Sequence, residues 1–328
     1  MRAVVIEEFG PAEVLGLREV LNPPVGPDEV LVEVEFSSVT FVETQIRRGH
    51  APDPSMLPRL PVILGNGVGG AIVAVGEDVG QNLLGARVVS STGGTGGYAE
   101  LASVPAAAII PVPDGVAMSD AVALLADGRT AIALSERAEI RPGETVIVEA
   151  AAGGVGSLLV QLAKRAGANV IAAAGGAHKL ELARALGADV AVDYRRPSWT
   201  AEVAAAVGPS AVDVAFDGVG GRVGREAFEL LARGGRLSRF GMASGSFAPI
   251  SEHDLKSHDV TALPRGAAEP GEMARLSATA LGMAAAGELR PVIGQKVPLE
   301  DAADAHRAIE ARATIGKTLL TTQASQIP

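Results

Sequence analysis

Residues 145–158, TVIVEAAAGGVGSL, constrain this chain more than any other stretch. Val146, Ile147 and Val148 form an apolar, β-branched run suited to a buried parallel strand. From Ala150 to Gly156 only Val155 carries more than a methyl group. Val155, Leu158, Leu159, Leu162 and Ala166 then fall on one helical face. Strand, side-chain-poor turn and helix bring backbone amides and the positive end of a helix against a pyrophosphate. A second strand, Asn169 to Ala173, and a second helix from about His178 to Leu186 complete a βαβ unit. The competing explanation is a turn kept small for packing alone.

Gly65 to Gly70, GNGVGG, matches G-x-G-x-x-G letter for letter. The apolar β-run Ala71 to Val75 follows it, with no helical period, so no helix end is available to an anion. These residues read as a tight turn in a β-rich region.

A chain of 328 residues suggests two domains. The net charge of −10 argues against nucleic acid as a partner. The absence of cysteine excludes disulfides and thiolate metal ligands. Glu7 and Glu8 stand where a signal peptide would be apolar, and no uncharged apolar stretch reaches membrane-spanning length, so the expectation is a cytoplasmic protein without membrane contact.

In chain order, Val30, Val32, Val34 and Phe36 alternate with Leu31, Glu33 and Glu35 as in a half-buried strand. Thr40 to Arg48 suits a short helix ending at Gly49, with Glu43 and Arg47 spaced as an ion pair. Short β-runs continue to Ala102, giving a small β-barrel-like domain. Ser119 suits an N-cap, and the helix it opens runs to Ala138 with an interruption at Gly128. Apolar runs opening at Thr145, Asn169, Asp189, Val212 and Gly235 alternate with helices, one of them Gly224 to Ala232, and Val260 to Leu263 suits a sixth strand. That is an α/β doubly wound parallel sheet. A helix from Gly271 to Ala286, a β-run at Val292 to Val297, a helix from Leu299 to Ala311 and a strand at Lys317 to Thr321 close the chain, and Gln323 to Pro328 read as a frayed tail. The expected division is a first segment at 1–122, a nucleotide-binding domain at 123–262 and a return segment at 263–328, with a cofactor in the cleft between the domains.

NAD-binding units usually place an acid about 20 residues beyond the glycine turn, on the ribose 2′-hydroxyl. Here Ala174, Gly175 and Gly176 occupy that place, and the first acid after Gly156 is Glu181. Lys179 lies where a 2′-phosphate would be, and Tyr194 would add a hydroxyl, which favours NADP(H). An ordinary solvated lysine is the alternative.

The chain resembles the zinc-free quinone oxidoreductases of the medium-chain dehydrogenase/reductase superfamily over essentially its whole length. The resemblance rests on Ala150–Gly156, Gly97-Tyr98-Ala99-Glu100, Arg141-Pro142-Gly143-Glu144, Phe240-Gly241-Met242 and Arg312-Ala313-Thr314-Ile315-Gly316-Lys317. It implies a GroES-like β-barrel catalytic domain beside a doubly wound Rossmann domain. It also implies a homodimer formed through the Rossmann domain and hydride transfer from NADPH to a quinone or another conjugated carbonyl. By the same resemblance Thr130 contacts the nicotinamide end. Ala152, Gly153, Gly154, Val155 and Gly156 form the pyrophosphate turn. Gly175, Lys179 and Tyr194 meet the 2′-phosphate, Phe240, Gly241 and Met242 line the nicotinamide ribose, and Arg312 reaches the cofactor, a surface arginine at a helix end being the alternative.

Zinc-dependent relatives carry Gly-His-Glu and a cysteine ligand. This chain has Gly65-Asn66-Gly67, no cysteine and scattered histidines at 50, 178, 253, 258 and 306, so no metal is expected. Where the zinc-free reductases often carry an asparagine, an acid and a tyrosine, this chain has Thr40, Glu43 and Gln45. Thr40, Gln45 or backbone amides near Gly67 would then stabilise the substrate oxygen, with the proton from solvent. Two other functions stay open: an enoyl-thioester or alkenal reductase, and an NADPH-binding scaffold or sensor without turnover.

Overall fold

The computed structural model describes residues 1–51, 54–265 and 270–326. They form two compact units, Met1–Gly128 with Ser277–Pro328, and Arg129–Leu276.

The first unit contains β1 (Arg2–Ile6), β2 (Gly16–Glu19), β3 (Glu29–Val39), α1 (Phe41–Arg47), β4 (Val62–Ile63), β5 (Gly67–Val75), β6 (Arg87–Ser91), β7 (Leu101–Pro105) and β8 (Ile110–Pro111). Helix α2 (Met118–Ala138) leads into the second unit. There β9 (Thr145–Glu149), α3 (Gly154–Arg165), β10 (Asn169–Ala174), α4 (Ala177–Ala185), β11 (Val190–Asp193), α5 (Trp199–Val207), β12 (Val212–Asp217), α6 (Gly221–Phe228), β13 (Leu231–Arg239), α7 (Glu252–His258) and β14 (Thr261–Ala262) follow. Helix α8 (Pro270–Ala285) returns the chain, and β15 (Ile293–Pro298), α9 (Ala302–Glu310) and β16 (Lys317–Thr321) rejoin the first unit.

Strand β3 is the hub of the first unit. The long sheet runs β15-β16-β3-β5-β6-β8, with β7 also on β3, and a three-stranded sheet runs β2-β1-β4. Its alternation fits this place: Val30, Val32 and Val34 are buried while Leu31, Glu33 and Glu35 are not fully covered. Val30 and Val32 pack with Ile72, Val88 and Val104 in an apolar core. The return segment completes the sheet, since β16 pairs antiparallel with β3 from Thr318 opposite Val39 to Thr321 opposite Phe36.

The second unit is a six-stranded sheet in the order β11-β10-β9-β12-β13-β14, with every pairing parallel. Val146, Ile147 and Val148 of central β9 are buried, as helices on both faces require. The strand order reverses between β9 and β12, the switch point at which such sheets bind ligands.

Several local expectations are corrected. Helix α2 begins at Met118, so Ser119 lies inside it rather than capping it. Gly128 does not interrupt that helix; a Cβ there would lie 2.8 Å from the Ala280 methyl, so glycine serves close packing. Helix α6 ends at Phe228, and β13 starts at Leu231 with a register shift against β12 before Arg236, which hid its first residues from the sequence pattern. Only Gly65 of the GNGVGG stretch has a positive φ, 97°; Gly67 to Gly70 are strand, and a Cβ on Gly70 would lie 1.8 Å from the Glu33 carbonyl oxygen. The tail carries a 3₁₀ turn, Ala324–Gln326, held by a Ser325 hydroxyl donating to the Thr322 carbonyl at 2.7 Å. Pro328 and Ile327 lie outside the described residues.

Glu43 and Arg47 are not an ion pair. Arg47 is fully buried and its guanidinium donates to Glu310, at the end of α9, where Arg48 also binds at 2.9 Å. The Nε and Nη1 atoms of Arg47 have no partner among the described residues, so its charge depends on Glu310. Glu310→Gln is therefore expected to destabilise the protein by about 3 kcal/mol, the usual effect of leaving a buried charge uncompensated, measured by urea unfolding.

Candidate functional site

The turn after β9 is built by exclusion of side chains. Ala150 adopts φ 48°, and its carbonyl accepts from Gly153 N at 2.8 Å. A Cβ on Gly156 would fall 2.3 Å from that same carbonyl oxygen, so the first turn of α3 presses directly on the strand end. Ala151 N donates to Ala173 O at 3.2 Å, tying the turn to β10. Gly153 is the N-cap of α3, and no side chain caps it. The first-turn amides of α3 thus have neither an intrahelical acceptor nor a capping side chain, and they carry the positive end of the helix. Ala152, Gly153, Gly154, Val155 and Gly156 all lie in this turn and the first turn of α3.

Gly175, Lys179 and Tyr194 are grouped at the ends of β10 and β11. A Cβ on Gly175 would lie 3.5 Å from the Tyr194 ring, and Lys179 stands in the first turn of α4 with its amide on Gly176 O at 3.1 Å. Sequence reasoning missed Asp193 and Arg195. Asp193 ends β11 in register with Ala174, and its Oδ2 accepts from Gly176 N at 3.1 Å. An acid therefore does reach the end of β10, but from the neighbouring strand. Arg195 binds it in two-pronged fashion, with Nε at 2.9 Å from Oδ1 and Nη2 at 2.7 Å from Oδ2. The Arg195 hydrogen bonds outweigh partial burial and hold the Asp193 carboxyl down at about 2. The Asp-Tyr-Arg run at 193–195, directly after a strand, was the available signal.

Phe240, Gly241 and Met242 follow β13. Phe240 N and Gly241 N donate to Asp217 O at 2.9 and 3.2 Å, and a Cβ on Gly218 would lie 2.7 Å from the Phe240 ring. Thr130 lies in α2, partly exposed, and Arg312 lies exposed just beyond α9 with φ 55°.

In the first unit, Thr40 is the N-cap of α1 in a capping box. Its Oγ1 accepts from Glu43 N at 3.4 Å, and Thr40 N donates to Glu43 Oε2 at 2.6 Å. Gln45 donates through Nε2 to Thr44 Oγ1 at 3.1 Å. Glu43 also takes Asn66 N at 2.8 Å on Oε1, so the amide just before Gly67 is occupied by the protein itself. Burial pushes the Glu43 carboxyl up, opposed by these bonds and by the Lys317 charge.

Behind Glu43 lies a buried relay that sequence reasoning missed. Tyr98 Oη is 3.1 Å from Glu43 Oε2 and 3.0 Å from His306 Nε2. Tyr98 has one proton and Glu43, as a carboxylate, can only accept, so Tyr98 donates to Glu43 and His306 Nε2–H donates to Tyr98. That tautomer leaves His306 Nδ1 as an acceptor, and it has no partner among the described residues. Burial, and secondarily the Arg47 charge, lower His306 to about 3. His306 gave no sequence signal, since its partners lie about 200 residues away.

Among the described residues no group of three His, Cys, Asp or Glu side chains is placed to hold a metal ion. No described helix is long and apolar enough to cross a membrane.

Comparison with known proteins agrees with this fold. The family described as Alcohol dehydrogenase GroES-like domain matches residues 26–114, and that described as Zinc-binding dehydrogenase matches residues 154–279. A GroES-like domain joined to a parallel sheet with a glycine turn defines the medium-chain dehydrogenase/reductase class. Within it, the chain is 31% identical to a quinone oxidoreductase of Pseudomonas aeruginosa over 95% of this chain and 97% of that protein. The solved structure of Escherichia coli quinone oxidoreductase complexed with NADPH superposes with a TM-score of 0.89 at 29% identity, covering 98% of this chain and 100% of that one. A mycobacterial structure complexed with NADPH gives a TM-score of 0.87 at 32% identity, covering 98% and 100%. The chain belongs to the quinone oxidoreductase family.

A pH dependence of stability follows from His306. Its folded value of about 3 lies below the ordinary 6.5, so the unfolded chain binds the extra proton between those values. The contribution is intact above pH 6.5 and is lost as pH falls toward 3. His306→Gln, which keeps an N–H for Tyr98, is expected to flatten the acid limb of a plot of unfolding free energy against pH, measured by denaturant titration.

Proposed function

We propose that this protein is an NADPH-dependent reductase that transfers a hydride to a quinone or a similar conjugated carbonyl, without zinc. The observation that carries this assignment is the uncapped turn at the switch point, where a Cβ at Gly156 has no room and no side chain caps the first amides of α3. The names of the relatives and the NADPH in two of the solved structures support it.

The residues present fit a phosphorylated dinucleotide. The turn from Ala152 to Gly156 would hold the pyrophosphate, with Gly175, Lys179 and Tyr194 at the 2′-phosphate. Phe240, Gly241 and Met242 would flank the nicotinamide ribose, Thr130 its nicotinamide end, and Arg312 would reach the cofactor from the return segment. When bound, NADPH supplies a hydride from C4 of its nicotinamide. Asp193 does not oppose a 2′-phosphate, because Arg195 already neutralises it. Gln45 has a second Nε2 hydrogen beyond the one it gives Thr44 Oγ1 and can offer it to a substrate oxygen, while the Thr40 hydroxyl, which also bonds the Glu43 side chain, would have to turn from it to do the same. Neither side chain releases a proton at neutral pH, so protonation of the reduced product is assigned to solvent. The donor set supports chemistry without zinc: the chain has no cysteine, and Asn66 stands where a ligating histidine would. A homodimer through the Rossmann unit belongs to the same proposal and is tested by light scattering.

Stopped-flow mixing of protein and NADPH with benzoquinones, short alkenals and crotonyl-thioesters tests the activity. Rapid oxidation with benzoquinones and substoichiometric zinc by elemental analysis are expected. Faster oxidation by alkenals or thioesters would move the assignment to a double-bond reductase, and tight binding without oxidation by any acceptor would make the protein a scaffold. Lys179→Ala is expected to weaken NADPH binding about tenfold, the scale of one charge-assisted hydrogen bond, and to leave NADH binding unchanged in calorimetry.

A further inference from the structure

Two carboxylic acids end the strands on either side of the switch point. Glu149 closes β9 and Asp217 closes β12, and both are fully buried. They share a donor: Val219 N lies 3.2 Å from Glu149 Oε2 and 3.1 Å from Asp217 Oδ1. Asp217 Oδ1 also accepts from Gly220 N at 2.6 Å. One oxygen of each, Glu149 Oε1 and Asp217 Oδ2, has no partner among the described residues, while the other oxygens of the two carboxyls converge on the same Val219 amide. Two carboxylates cannot bond to each other; a carboxylic acid and a carboxylate can. Asp217 already accepts backbone N–H bonds suited to the charged form, so Glu149 is the acid and Asp217 the anion.

The pair stands beneath the two loops that rim this end of the sheet. Residues 218–220 leave directly from Asp217. The loop after β13 hangs on them, with Ala243 N on Gly218 O at 3.3 Å, Ser244 N on Val219 O at 2.8 Å, and Phe240 N on Asp217 O at 2.9 Å. On the other side, Glu149 immediately precedes Ala150, where the phosphate turn begins.

We propose that Glu149 is a positioning residue of the dinucleotide site: as a protonated acid it donates to Asp217, and the pair locks the 218–220 and 240–245 loops in register with the turn after β9. The proposal rests on the assignment of that turn to NADPH. Burial, with the Asp217 charge and hydrogen bond beside it, pushes the Glu149 carboxyl well above the usual range. The other charged groups bearing on the pair are Arg239 on β13, which favours the Asp217 anion, and Glu226 on α6, which disfavours ionisation of Glu149. Arg239 in turn feels Arg265 and Glu252. Loss of the Glu149 proton places two anions in one buried site and drives the loops apart. The folded form holds a proton that the unfolded chain has released, so stability falls as pH rises above the ordinary glutamate range.

The test compares wild type, Glu149→Gln and Glu149→Leu by infrared spectroscopy and by NADPH titration from neutral to alkaline pH. Wild type is expected to show the carbonyl band of a buried protonated carboxylic acid and an NADPH dissociation constant that rises about tenfold at alkaline pH. Glu149→Gln, which donates to Asp217 at every pH, is expected to lose the band, bind NADPH as wild type does at neutral pH and lose the alkaline weakening. Glu149→Leu leaves Asp217 without its donor and is expected to bind weakly throughout; should it fail to fold, the glutamine variant still decides. A wild type without the band, or a glutamine variant that keeps the alkaline weakening, overturns the proposal. A wild type with the band but no affinity for NADPH overturns the nucleotide assignment, and with it the positioning role, while the shared proton stands.

Discussion

The contact between the first turn of α3 and the carbonyl of Ala150 sets the terms for the second unit. Because Gly156 has no Cβ, the helix starts within a few ångströms of the end of β9, and no side chain caps its first amides. That approach requires a central strand with both faces covered, and Val146 to Val148 provide one. It also requires its neighbour to be held in register, which the Ala151–Ala173 bond does at the turn itself. A methyl group at Gly156 would move the helix, and with it the one place in the sheet where strand order reverses.

The two units bury carboxylates in opposite ways. In the first, Glu43 is surrounded by donors: the amides of Thr40 and Asn66 and the hydroxyl of Tyr98 each take part of its charge. It can remain an anion in the interior because every nearby group is arranged for one. In the second, Glu149 and Asp217 have fewer donors than oxygens, and a proton must make up the difference. The first arrangement fixes a helix cap and the strand entering β5. The second leaves a titratable joint under glycine-rich loops.

Much of this was legible in the sequence where the pattern is local. The β9–turn–α3 stretch, the alternation of β3, the short helix α1 before Gly49 and the terminal strand at Lys317 to Thr321 are each specified by neighbours in the chain. Two errors came from glycine: Gly128 in α2 and Gly67 to Gly70 in β5 are there for close packing, whereas sequence alone makes glycine a breaker or a turn. The remaining misses are long-range. Arg47 finds Glu310 instead of Glu43, His306 finds Tyr98, and Asp193 supplies from β11 the acid that was sought on β10. Charge spacing along one helix cannot reveal partners brought by another segment.

The junction of β3 with β16, and of Arg47 with Glu310, has a consequence for how the chain is made. When residues 1–128 have left the ribosome, β3 still lacks a neighbour and Arg47 its counter-charge, because both lie beyond residue 292. The unit formed by Arg129–Leu276 is translated whole in the interval. The N-terminal sheet is therefore completed, and Arg47 given its counter-charge, by residues made after the whole of the intervening unit.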